Sequence, residues 1–345
     1  MPVKSQHLLI ISPALAKANN GNWQTAQRWA KFLQKRYRVQ CAIDWNAAVL
    51  PVPDLMIALH ARRSAPSIVA FALQFPQRPI VLILTGTDLY RDIRNNVDAQ
   101  RSLSLATRLV VLQPGGLEEL TPTLRAKAHT IFQSTPALPS LPLSPSLLSS
   151  RQPIIDNKDY TVVMIGHLRA EKRPETFMQA ASYLTHENVR LLHIGRALEP
   201  LLGVLAEQTA AKLRCYEWLG ARTHAQTLRC LRRSALMVIC SEMEGGANVI
   251  VEAVTSGVPV LASDISGNRG MLGTDYAGYF PLGDAIALAG LIDRAASDAA
   301  FYAQLQSQCA GRAILFSPAL EKAAVLELAD NCLLSLPGMR QTGHS

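Results

Sequence analysis

The chain has 345 residues, more than one ordinary hydrophobic core holds, so two domains are the starting expectation. Hydrophobic residues make up 49% and charged residues 17%, the profile of a globular protein with large cores. The formal charge of +8 favours anionic partners, but no block of five or six basic residues appears, which argues against nucleic acid or a membrane surface as the partner.

Along the chain, short β-like runs alternate with helical spacing. The first run, 8–12, follows Lys4 and meets Pro13, which reads as a strand and not as a signal peptide. Asn19, Asn20, Gly21 and Asn22 form a small-residue loop before a helix with Thr25, Trp29, Phe32 and Leu33 on one face. This loop lacks the spacing of a dinucleotide fold, so a nicotinamide enzyme is not expected. Further strands are predicted at 39–43, 55–59, 80–84, 109–112 and 130–132. Residues 134–153 are rich in Pro, Ser and Leu with one charge, which reads as a linker. The longest uncharged stretch ends at Ser150 and is broken by prolines, so no membrane helix fits there. The pattern then restarts, with five strands predicted at 161–165, 190–194, 215–219, 236–240 and 259–262. An amphipathic stretch from Pro318 to Leu334 follows.

Such alternation predicts two doubly wound Rossmann-like α/β domains facing a central cleft, with ligands at the carboxyl ends of the strands. The expected division is an acceptor domain at 1–136, a linker at 137–156 and a nucleotide-sugar domain at 157–316. A terminal helix and tail at 317–345 would pack back on the first domain. The six cysteines form no CxxC pair and no zinc spacing, so no metal site is expected and a reducing, cytoplasmic location fits.

Candidate chemistry gathers at strand ends. Glu244, Gly245, Gly246, Ala247, Asn248, Val249 and Glu252 follow the run 236–240. The first carboxylate is expected on the strand-to-helix turn and the second two turns into the helix. Small residues between them let a ligand approach the backbone, and the helix start favours an anion. Gly166, His167, Arg169 and Lys172 follow the run 161–165, with Pro174 opening a helix. Here glycine leaves room for a phosphate and two cations stand ready for it. In the first half, His60, Arg62 and Arg63 follow one strand, and Thr85, Gly86, Thr87, Asp88 and Arg91 follow another. With Gly21 and Asn22 they suit a small anionic acceptor, with Asp88 orienting a guanidinium. A structural ion-pair network uses the same residue types.

The combination resembles the GT-B glycosyltransferases, in particular the retaining group with two glutamates eight residues apart. Glu244 and Glu252 match that motif, and Gly166 to Lys172 matches the family's Gly-Arg-x-x-x-x-Lys loop. His167 stands at the arginine position, which leaves half of the diphosphate clamp to Arg169. The resemblance implies that Lys172 holds the donor diphosphate, Glu252 the ribose, and that Glu244 lies beside the donor sugar. The strings ALHARRS (58–64), LTGTDLYRDI (84–93), VVLQP (110–114), EGGANV (244–249) and GYFPLGD (278–284) are similar to the selenosugar synthases of selenoneine biosynthesis. That likeness implies transfer of a hexosyl group from a UDP-sugar such as UDP-GlcNAc or UDP-glucose to selenophosphate. The UDP-sugar is a substrate, so no cofactor is expected, nor is nucleic acid or stable membrane insertion. The rival readings are a glycosyltransferase with a hydroxyl acceptor, lipid or small molecule, and a non-catalytic sugar-nucleotide sensor.

Overall fold

Parallel strands buried on both faces need near-continuous apolar runs, and the central strands of this chain have them. The computed structural model describes residues 6–14, 21–135 and 160–334. They fall into two units: the chain up to Ser134 together with Ser317 onward, and Thr135–Phe316. The expected linker at 137–156, and Asn19 and Asn20, lie outside the described residues.

The first unit is built on His7–Ile11 (β1), Arg38–Ala42 (β2), Leu55–Leu59 (β3), Ile80–Leu84 (β4), Arg108–Val111 (β5) and Ala128–Thr130 (β6). They form one sheet in the order β2-β1-β3-β4-β5-β6, parallel at every pairing. Every residue of β1, β3 and β4 is buried, whereas the edge strand β2 is partly exposed. Alternate residues feed two cores, one on each face. Leu8, Ile10 and Ile57 meet Trp29 and Leu33 of the helix Gly21–Leu33, while Leu9, Ile11 and Met56 meet Phe71 and Trp45. The helix Pro318–Leu334 adds Val325, Leu328 and Leu333 to the first of these cores.

Glu321 of that helix is 2% exposed. A buried carboxylate is tolerable only when fully bonded. Glu321 accepts from Arg28 Nε at 2.7 Å, Trp29 Nε1 at 2.9 Å, Ser134 N at 2.7 Å and Ser134 Oγ at 2.5 Å.

The second unit is built on Tyr160–Ile165 (β7), Val189–Ile194 (β8), Tyr216–Gly220 (β9), Leu236–Ile239 (β10), Val260–Ser263 (β11) and Tyr279–Phe280 (β12). Their order is β12-β11-β10-β7-β8-β9, again parallel throughout. The sequence pattern predicts five strands here. The sixth, β12, is two residues long, too short to carry a period. Likewise β6 lies at 128–130 and not at 130–132. Its pairing with β5, Leu109 opposite Ala128, sets the register, not the apolar pair Ile131 and Phe132.

Both units are doubly wound Rossmann-like α/β domains. In such sheets the ligand crevice lies where the winding direction reverses. In the first unit this is between β1 and β3; in the second it is between β7 and β10. Among the described residues no helix is long and apolar enough to cross a membrane.

Candidate functional site

The reversal in the second unit brings two sequence-predicted motifs together. Gly166, His167, Arg169 and Lys172 leave the carboxyl end of β7, and Glu244 leaves that of β10. Lys172 Nζ and Glu244 Oε1 form an ion pair across 72 residues of sequence. Glu244 is 8% exposed, and the Lys172 ammonium offsets its burial. An ammonium has three donors, so two remain for a ligand. The two turns are also joined by Glu242 N donating to Glu171 O at 3.1 Å.

Two glycines that the motif spacing does not reveal make this meeting possible. A Cβ at Gly195, after β8, would lie 1.8 Å from Gly166 O. A Cβ at Gly267, in the helix Ser266–Leu272, would lie 2.1 Å from Glu244 O. Gly166 itself would meet only ordinary contacts, Lys172 Cγ and Cδ at 3.8 Å. Arg173, which closes the loop, has φ +47°, a strained value for a residue with a side chain.

His167 stands at the arginine position of the clamp and is not a second cation. Its Nδ1 accepts from Arg196 N at 3.1 Å, which leaves any ring proton on Nε2. Burial pushes its pKa down, and Arg196, Arg169 and Lys172 push in the same direction. His167 thus offers a neutral N–H donor. Arg169 is half-buried at the head of the short turn Ala170–Lys172.

Gly245, Gly246 and Ala247 form the turn from Glu244 to the helix Asn248–Thr255, whose first residues are Asn248 and Val249. The N-cap is Ala247 and no side chain caps this helix. Other helices of the unit are capped by Thr223, Asp284 or Asp298. Alanine offers no oxygen to the first amides, so they suit an anion instead. Glu252 is the fifth residue of this helix, one turn in and not two, because the turn after β10 is longer than the spacing suggests. Its Oε1 lies 2.8 Å from His224 Nε2, a residue the motif does not include. That hydrogen bond raises the His224 pKa.

In the first unit, Gly21 and Asn22 open the helix after β1, and His60, Arg62 and Arg63 follow β3 at the point of reversal. Thr85, Gly86, Thr87, Asp88 and Arg91 follow the neighbouring β4. His60 has φ +73° and is buried. Its Nδ1 accepts from Arg63 N at 3.4 Å and its Nε2 lies 3.2 Å from Thr87 Oγ1. Burial lowers the pKa of this ring, with Asp88 opposing, so the 4.0 Å approach of His60 Nδ1 to Asp88 is not an ion pair.

Asp88 does not orient a guanidinium. Its carboxylate is fully buried and accepts from the backbone: Ala61 N, Thr85 N and Gly86 N, each at 2.9 Å. It ties the loop after β3 to the loop after β4. The carboxylate beside the arginines is Asp92, which takes Arg62 Nε at 2.8 Å and Arg91 Nε at 3.2 Å. Both arginine side chains remain substantially exposed, at 41% and 47%. Asp92 sits four residues beyond Asp88 on the same irregular turn, Asp88–Asp92, so the sequence offers two aspartates with nothing local to separate their roles.

Among the described residues no three His, Cys, Asp or Glu side chains are grouped so as to hold a metal ion. All six cysteines are free thiols.

Residues 148–312 match the family model described as "Glycosyl transferases group 1". No curated protein matches the chain in sequence. Among solved structures, the chain is similar to Alr3699/HepE of Anabaena, crystallised with UDP and glucose. That likeness has TM-score 0.74 at 16% identity and covers 94% of this chain and 100% of the other. It is similar to the sucrose-phosphate synthase of Thermosynechococcus elongatus, with TM-score 0.70, 16% identity and coverage of 94% and 98%. It is also similar to the pneumococcal O-GlcNAc transferase GtfA, crystallised with UDP and GlcNAc. Here the TM-score is 0.60 at 16% identity, over 82% of this chain and 57% of that one. At such identities the likeness speaks for the fold, and the family match speaks for the second unit. The chain has the fold of the GT-B glycosyltransferases, and residues 148–312 match the group 1 family model.

Proposed function

We propose that the protein transfers a hexosyl group from a UDP-sugar, UDP-glucose or UDP-GlcNAc, to selenophosphate. The donor half of the reading rests on one observation above all: Lys172 and Glu244 meet at the winding reversal of the second unit, beside an uncapped helix start. The relatives crystallised with UDP and a sugar share that fold. The diphosphate would lie against Lys172, Arg169, the His167 N–H and the first amides of Asn248–Thr255. Glu252 would accept from the ribose hydroxyls, and Glu244 would face the sugar.

Selenium of selenophosphate attacks C1 of the sugar. The bond from C1 to the β-phosphate oxygen breaks, and its electron pair leaves with UDP. Water then cleaves the P–Se bond, which releases phosphate and the selenosugar. Selenium here is already an anionic nucleophile, so the protein's task is to position the reactants and stabilise the departing diphosphate. The acceptor half is supported by the exposed Arg62 and Arg91, held on Asp92 at the other winding reversal. A dianion suits forked donors. The particular choice of selenophosphate comes from the likeness of the strings at 58–64 and 84–93 to the selenosugar synthases.

The test is to incubate the protein with each UDP-sugar, with and without selenophosphate. UDP release and a selenium-bearing sugar by mass spectrometry should both depend on selenophosphate. Sugar transfer to a hydroxyl compound without selenophosphate would refute the acceptor assignment. UDP-sugar binding with no transfer under any condition would make the protein a sensor.

A further inference from the structure

We infer that His224 is a positioning residue that aims the Glu252 carboxylate at the ribose of the donor. The inference rests on the reading of Glu252 as the ribose acceptor. His224 is the first residue of the helix His224–Arg233, and Glu252 lies on a different helix, 28 residues away in sequence. The ring has no capping duty. Thr223 and Gln226 already form a complete capping box at that helix start. The first turn of a helix is also a poor place for a cation, since the dipole presents its positive end there. Yet the net effect on His224 is a raised pKa, and the hydrogen bond to Glu252 is its largest cause. The contact with Glu252 is therefore what this ring does.

The consequence for the carboxylate is geometric. A glutamate one turn into a helix has three side-chain torsions and would otherwise sample several rotamers. With Oε1 held by His224 Nε2 at 2.8 Å, the plane of the carboxylate is set and Oε2 is presented as the acceptor for a hydroxyl pair. Glu252 is 13% exposed and His224 50%, so the pair sits with the carboxylate inside and the ring at the solvent boundary. His224 touches neither sugar nor phosphate in this scheme; it acts through Glu252.

Calorimetric titration of the full chain with UDP and with 2′,3′-dideoxy-UDP tests this, because the ratio of the two affinities reads the ribose contact alone. In the wild type UDP should bind more tightly, by roughly tenfold or more for charge-assisted hydrogen bonds. His224→Leu should collapse that ratio by about tenfold while binding of the dideoxy compound changes little. His224→Gln, which keeps an amide N–H near the place of Nε2, should retain most of the ratio; His224→Asn, which is too short to reach, should behave as His224→Leu. A ratio preserved in folded His224→Leu and His224→Asn overturns the positioning role. A wild type that binds both compounds equally overturns the ribose reading of Glu252, and the inference with it.

Discussion

Replacing Gly195 by alanine should damage the donor loop from a strand that does not belong to it. The new Cβ would lie 1.8 Å from Gly166 O, 2.5 Å from Gly166 C and 2.9 Å from His167 Cα. All three are backbone atoms, so no side chain can swing away. Reaching even 3.0 Å requires a shift of 1.2 Å (3.0 − 1.8) in the turn after β7. That turn is held by Gly166 N to Ile194 O at 2.9 Å, Leu168 N to Arg196 O at 3.0 Å and Arg196 N to His167 Nδ1 at 3.1 Å. Losing two of these at about 1 kcal/mol each, with overpacking strain of about 1–3 kcal/mol, gives a destabilisation of about 3–5 kcal/mol. UDP affinity should fall as well, because Lys172 rides on the same turn. Urea denaturation and calorimetric titration with UDP measure the two effects. Gly290→Ala is the control: a Cβ there meets nothing within 4 Å in the exposed middle of the helix Ala285–Ser297. It should stabilise the fold by up to about 1 kcal/mol through helix propensity. If Gly195→Ala unfolds and binds UDP as the wild type does, the close approach is not what holds the loop.

Four further outcomes are expected. Glu321→Ala should cost about 3–5 kcal/mol in denaturation, because it strands the buried indole N–H of Trp29 and the Arg28 guanidinium; a loss below 1 kcal/mol would contradict this. His193 is buried and its pKa is pushed down to about 4, so between pH 6.5 and pH 4 the unfolded chain binds a proton that the folded one refuses. Stability should therefore fall by about 2 kcal/mol from pH 7 to pH 5 on this account, and His193→Gln should show a correspondingly flatter pH profile. Finally, Lys172→Ala should lower kcat by roughly 10²–10³-fold if it stabilises the leaving diphosphate. Arg62→Ala should instead raise KM for selenophosphate about tenfold with UDP affinity unchanged; a loss of UDP binding in Arg62→Ala would place that arginine elsewhere.

The fold class was legible in the sequence because a strand buried on both faces leaves an unbroken apolar run. That signal is local to each of β1, β3, β4 and β10. The glutamate turn and the glycine–lysine loop were each legible too, since each starts within nine residues of one strand end. What no local pattern carries is strand order. Only the sheet, with β10 returning beside β7, brings Lys172 to Glu244 across 72 residues. The same non-local geometry separates Asp88, consumed by backbone amides, from Asp92, which holds the arginines. It turns Gly195 and Gly267 from ordinary turn glycines into the points where two backbones touch. It also gives Glu252 its partner in His224, on a helix the motif never mentions. Sequence decides which segments become strands and helices, because burial and periodicity act over a few residues. Partners, protonation and steric necessity arise only when distant segments share one sheet edge, and those are what the candidate site is made of.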